Sequence, residues 1–198
     1  MKIIQIMKKL SAYLFLILFS FQAPSWTDDI SDFQIEGMSI GDSLLNYTTK
    51  NKIETEKKHL YKNKEYSSFI LKKPSFETFD AIQIHIEDND EKFIIEGLEG
   101  MIFLPNKIKK CKKKKKEVVK DLTDFFKNSL KHEDNSNHPY DETGKSKFYR
   151  TAFLVNPNDK YLSIEVTCFD WSNDLPFYDK LTVNIKSDKL NDWLAVLY

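Results

Sequence analysis

IKKCKKKKKEVVKDLTDFFKNSL, residues Ile108 to Leu130, is the stretch on which the fold turns. Its apolar residues Ile108, Cys111, Val118, Val119, Leu122, Phe125, Phe126 and Leu130 recur mostly at spacings of three and four, which gathers them on one stripe of a long helix. Such a stripe needs an apolar layer to lie across, and the flanking segments supply it. On the amino-terminal side, Ser68 to Leu71 and Ala81 to Ile86 read as strands. In the second of these, Ile82, Ile84 and Ile86 alternate with Gln83 and His85. Glu87 to Glu91 then makes a hairpin turn into Phe93 to Leu104. The inward positions there change from odd (Phe93, Ile95) to even (Leu98, Ile102, Leu104), so a β-bulge is expected near Gly97, and Pro105 ends the strand.

On the carboxy-terminal side, His132 to Lys147 reads as a polar, mobile loop, followed by strands over Phe148 to Val155, Lys160 to Phe169 and Lys180 to Lys186. Asn156-Pro157-Asn158-Asp159 places Pro where a tight turn wants its fixed φ, so the first two form a hairpin. Ser187 caps a closing helix that buries Leu190, Trp193, Leu194 and Leu197, with Asp188 in its first turn. Near the start, Ser39 with Asp42 three residues on predicts a short helix from Ile40 to Tyr47. Thr49 to Lys64 adds a second helical turn and a loop. The order helix, three strands, helix, three strands, helix predicts an α+β fold. In it an antiparallel sheet carries helices on one face, in two similar helix-plus-three-strand units.

The first 25 residues combine Lys2, Lys8 and Lys9 with an apolar run from Leu10 to Phe21 and the small-residue exit Ala23-Pro24-Ser25, the pattern of a secretory signal peptide cut after Ser25. The run of about 12 residues would cover about 18 Å as a helix, too short for a hydrocarbon core of about 30 Å. Removing residues 1–25 takes three lysines and no acids, leaving 27 basic against 30 acidic residues and a net charge of −3. That charge gives no reason to expect nucleic acid. Residues 26–198 suffice for one domain with a real core, placed in the periplasm or outside the cell.

In an exported chain the two cysteines, Cys111 on the helix stripe and Cys168 on a strand's inward face, point to a disulfide joining helix to sheet. Closing that loop of about 57 residues stabilises the fold by about 4 kcal/mol in the chain-entropy model. The alternative is a pair of buried thiols.

Lys107, Lys109, Lys110, Lys112, Lys113, Lys114 and Lys116 crowd the start of the long helix, where cations oppose the dipole. They read either as a contact for an anionic partner such as lipid headgroups, or as a solvated face with Lys115 snorkelling and Lys113 paired to Glu117. Phe169, Trp171, Phe177 and Tyr178 form a partner surface if exposed and cap the core if buried. Asp170, Ser172 and Asp174 alternate like a calcium loop but lack its Gly and distal Glu. His59, His85, His132 and His138 show no zinc spacing, and there is no nucleophile elbow or Gly-rich phosphate loop. No catalytic residue, metal ligand or cofactor is therefore assigned. A small hydrolase or metal-dependent enzyme would centre on His132, His138 and the neighbouring acids.

Glu36-Gly37-Met38-Ser39-Ile40-Gly41, followed by a short helix and strands, resembles the opening of β-lactamase-inhibitor proteins and of outer-membrane assembly lipoproteins, small exported α+β modules. The chain is similar also to short uncharacterised exported proteins of marine bacteria. The first two likenesses imply a module that binds a protein or peptide in the cell envelope rather than one that catalyses. The lipidated Cys of the lipoproteins is missing here, so their membrane tether is not expected.

Overall fold

The computed structural model describes residues 33–59, 64–127, 129–154 and 163–197. The leader expected over 1–25 and the turn expected at Asn156 to Asp159 lie outside the described residues. Seven strands, β1 (Tyr66–Leu71), β2 (Ala81–Glu87), β3 (Ile95–Phe103), β4 (Leu130–Asn137), β5 (Lys147–Leu154), β6 (Ser163–Asp170) and β7 (Lys180–Lys186), form one antiparallel sheet in the order β1-β2-β3-β7-β6-β5-β4. Among the described residues three α-helices accompany it: α1 (Lys50–Glu56), α2 (Ile108–Phe125) and α3 (Asp188–Leu197). This is an α+β fold built of two meanders, β1 to β3 and β4 to β7, joined where β3 pairs with β7. The second unit thus holds four strands instead of the expected three. Among the described residues no helix is long and apolar enough to cross a membrane.

Register settles which side chains share a face. Cys168 lies opposite Leu181 and Tyr149, Val166 opposite Val183, and Ile84 opposite both Phe69 and Leu98. These residues form the core face, where Phe69, Ile82, Ile84, Leu98, Phe153, Ile164, Val166 and Leu181 are fully buried. The stripe of α2 closes this face over β6 and β7 through Cys111, Val118 and Leu122. The sulfurs of Cys111 and Cys168 join helix to strand, with their Cα atoms 5.9 Å apart. Gly100 makes the layering tight on the same face, since a Cβ there would meet the Phe79 ring at 2.7 Å.

Among the described residues, the opposite face is covered at one corner, by α3. His85 pairs with Gly97 but Ile86 pairs with Ile95, so Glu96 is the extra residue and the bulge sits beside Gly97 as expected. The bulge positions α3: the Glu96 carbonyl accepts from Ser187 N, and its carboxylate from Ser187 Oγ. That hydroxyl in turn accepts from Leu190 N at 3.1 Å, which is the predicted cap. Leu190 then seats on Gly97, where a Cβ would approach Leu190 Cδ2 to 2.7 Å. Trp193, half-buried, packs its ring 4.7 Å from Tyr66. His85, expected to face outward, is consequently buried under α3, and burial pushes its imidazole down to about 4.

Three further expectations change. The helix predicted over Ile40 to Tyr47 is a 3-10 turn at Leu44–Asn46, with α1 following it. Ser39 N does find Asp42 Oδ2 at 2.9 Å, but Gly41 takes φ +90 and the backbone of Gly41 and Leu44 bonds to Ile95 and Phe93 instead of winding on. Helix α2 stops at Phe125, because Phe126 leaves helical dihedrals (φ −97, ψ 68) to bury its ring against Phe33. Phe125 and Leu130, assigned to the buried stripe, are exposed. Finally, the segment read as a loop over His132 to Lys147 contains most of β4, which pairs with β5 through eight residues from Leu130↔Leu154 to Asn137↔Lys147.

Candidate binding surface

Beyond α3, no element among the described residues covers the same face over β5 and β6, and aromatic side chains concentrate at its far end. Phe148 on β5 and Phe169 on β6 lie opposite each other, which places both rings on this face. Trp171, just past β6, stacks on Phe169 with centroids 5.9 Å apart and planes 11° from parallel. Phe177 closes on Trp171 at 4.6 Å, and Tyr140 on Phe177 at 5.4 Å. His138 packs against Trp171 at 4.3 Å and Phe169 at 5.8 Å. Phe148, Phe169 and Trp171 are half-buried, whereas Phe177 is 40% and Tyr140 65% exposed. Tyr178, 67% exposed, stands beside the cluster without a ring contact among the described residues. The aromatic segment therefore neither caps the core nor projects freely; it forms a wet-topped floor.

Two loops hold that floor, and buried acceptors organise both. In the connection from β4 to β5, Asp141 accepts from Ser146 N and Oγ and from Thr143 N and Oγ. Those hydrogen bonds, led by the Ser146 hydroxyl, hold its carboxyl well below the ordinary range. Ser146 Oγ also accepts from Ser172 N at 2.9 Å, tying this loop to the one after β6. Asp179 Oδ1 accepts from Trp171 N at 2.8 Å. Lys145 reaches Asp174 at 2.7 Å, so Asp174 answers a lysine of the neighbouring loop. His138 Nδ1 accepts from Tyr140 N at 3.2 Å, which leaves the proton of the neutral ring on Nε2. Burial lowers its pKa, so the ring is neutral at neutral pH and stacks as an aromatic.

Toward the middle of the face the rings give way to an ion ladder. Arg150 lies over Phe148 and bonds Asp134 at 3.0 Å and Glu165 at 3.4 Å, and Lys186 reaches Glu165 at 3.3 Å. Lys180 sits 5.4 Å over the Phe169 ring and bonds Glu99 at 2.7 Å. An apolar patch bordered by paired charges is the composition of a recognition surface, with rings to exclude water and a polar rim to fix orientation.

The enzymatic constellation does not assemble at His132 and His138. His132 lies on β4 and His138 just past its end, six residues on along extended chain, which separates them by about 20 Å. A different Ser-His-Asp group does form: Ser67 Oγ donates to Asp88 Oδ1 at 2.6 Å and meets His59 Nδ1 at 3.1 Å. Ser67 is fully buried on the core face, so its oxygen has no route to a substrate. Burial disfavours the Asp88 carboxylate, but the hydrogen bonds from Ser67 and Lys57 outweigh this and bring Asp88 below its ordinary range. The group fastens the segment before β1 to the sheet.

The lysine cluster divides by helix face. Lys112 turns inward over the Tyr149 ring, 3.4 Å from its centroid, and Lys114 is half-buried. Lys115 is also half-buried, and burial lowers its pKa against the pull of Glu133. Lys107 occupies the cap position without a side-chain cap, and Lys109, Lys110, Lys113 and Lys116 are exposed. Among the described residues the ion pair along α2 is Lys120–Asp124 at 3.3 Å, not Lys113–Glu117. Comparison with protein-family models, with curated proteins and with solved structures gives no match.

Proposed function

We propose that the chain is exported and works without catalysis, holding a protein or peptide partner of the cell envelope on the aromatic end of its open sheet face. One observation carries the reading: Phe148, Phe169, Trp171 and Phe177 gather at the end of a sheet face away from the corner that α3 covers, with two loops fixing them. Rings left half in water are a poor use of apolar area in a lone domain and a good one in a recognition surface. Export is supported by the basic, then apolar, then small-residue order of residues 1–25 and by the Cys111–Cys168 pair, which persists in an oxidising compartment. It places the chain in the periplasm or outside the cell after cleavage near Ser25.

The test is affinity capture from a cell-envelope extract with the intact protein and with the Trp171→Ala/Phe177→Ala double variant. A discrete partner retained by the first and lost by the second is expected. Equal retention by both, or turnover of a substrate panel abolished by one point substitution, would overturn the reading.

A further inference from the structure

The outward face of α2 carries a second surface, of different chemistry. Lys109, Lys113, Lys116 and Lys120 recur at intervals of four, three and four, opposite the buried Cys111, Val118 and Leu122, and all four are exposed. Residues 107 to 120 hold nine lysines and one acid in a chain whose formal net charge is zero. The first turn contains no acid and the cap residue makes no side-chain hydrogen bond, so the positive helix end adds to the lysines instead of being offset. This order weakens the helix, and among the described residues Lys109, Lys113 and Lys116 make no ion pair that would offset it.

We infer that this stripe docks the protein on an anionic lipid bilayer. Charge complementarity selects a broad negative surface, and three features favour a bilayer. The four lysines lie in line along a rod about 27 Å long, which a plane can meet all at once. Every cation on it is Lys, a hydrated point charge suited to a diffuse field; the single arginine, whose fork would recognise an individual phosphate, is Arg150 on the far side of the sheet. Lysines near a leaflet of anionic headgroups each add to adsorption, and the effect is screened by salt. Since α2 covers the core face and the aromatic floor lies on the other, a docked molecule turns its open face away from the membrane.

The experiment uses protein recovered from the cell envelope and sedimentation with vesicles of phosphatidylcholine alone or with about a third phosphatidylglycerol. Binding is expected to the anionic vesicles only and to fall steeply as salt rises. Lys109→Glu/Lys113→Glu/Lys116→Glu should weaken it on the order of a hundredfold. That variant should melt close to the parent, because all three side chains are exposed and Lys109→Glu places an acid in the first turn, so lost binding is not lost folding. Reversal of the exposed Lys58, Lys64 and Lys92 should leave binding intact. Equal binding to both vesicle types, retention by the α2 variant, or capture by heparin without vesicle binding would each overturn the inference.

Discussion

The two faces of the sheet are written in the same strands, one residue out of step, and differ in almost everything else. In β6, Ile164, Val166 and Cys168 point into a dry core, whereas Glu165, Thr167 and Phe169 between them face an ion ladder and an aromatic floor. The core face specifies the fold through burial and one covalent tie. The open face is buried at the corner under α3, while its rings and charges over β5 and β6 stay half in water. On the function proposed above, the pleat separates stability from recognition, and substitutions one position apart should separate them too.

The largest effect should come from the tie between α2 and β6. Replacing both Cys111 and Cys168 by Ser should cost about 4 kcal/mol in urea unfolding with little change in capture by the aromatic floor. An undiminished midpoint would remove the disulfide from the account. Next, Ile84→Ala on the core face should cost about 3 kcal/mol, since Ile84 is fully buried between Phe69 and Leu98 and its removal leaves a cavity. A smaller effect tests the corner where the open face is covered. His85 is held near a pKa of about 4 inside the fold, below its unfolded value of 6.5, so the unfolded chain takes up the proton first. Stability is then full above about pH 6.5 and falls as pH drops toward 4, by on the order of 2 kcal/mol at pH 5. His85→Gln should flatten that slope in pH-resolved unfolding, and an unchanged slope would assign it elsewhere. The smallest change in stability, about 0.5 kcal/mol or less, is expected for Phe177→Ala, together with a marked loss of partner binding.

Legibility follows the same division. Wherever one side of an element is dry, the sequence announces it: Ile82, Ile84 and Ile86 in β2, Leu181, Val183 and Ile185 in β7, and the stripe of α2 from Ile108 to Leu122. The change of inward parity around Gly97 exposed the bulge, and Ser187 the start of α3. Strand β4, Leu-Lys-His-Glu-Asp-Asn-Ser-Asn, gives no such sign, because as an exposed edge it is wet on both faces and has no alternation to show. Its partner edge β1 was legible through buried Phe69 and Leu71. The unseen β4 also hides part of the aromatic floor. Phe169, Trp171 and Phe177 are visible as a local concentration and Phe148 faces Phe169 across the β5–β6 pair, but His138 and Tyr140 join them only once the β4–β5 hairpin folds back. The buried His85 was unreadable for a related reason: alternation assigned it correctly to the second face, but only the seat of Leu190 on Gly97 reveals that α3 covers it.

The claim at the centre is that the open face, at its aromatic end, is the surface that meets a protein or peptide. Photo-crosslinking in intact cells tests it most directly, with a crosslinking side chain placed at Phe177 and, separately, at Leu45, which is exposed to a similar degree (40% and 42%) but lies away from the floor. A single discrete protein adduct from position 177 and none from position 45 is the predicted result. Adducts of equal yield from both positions, or from position 45 alone, would contradict it.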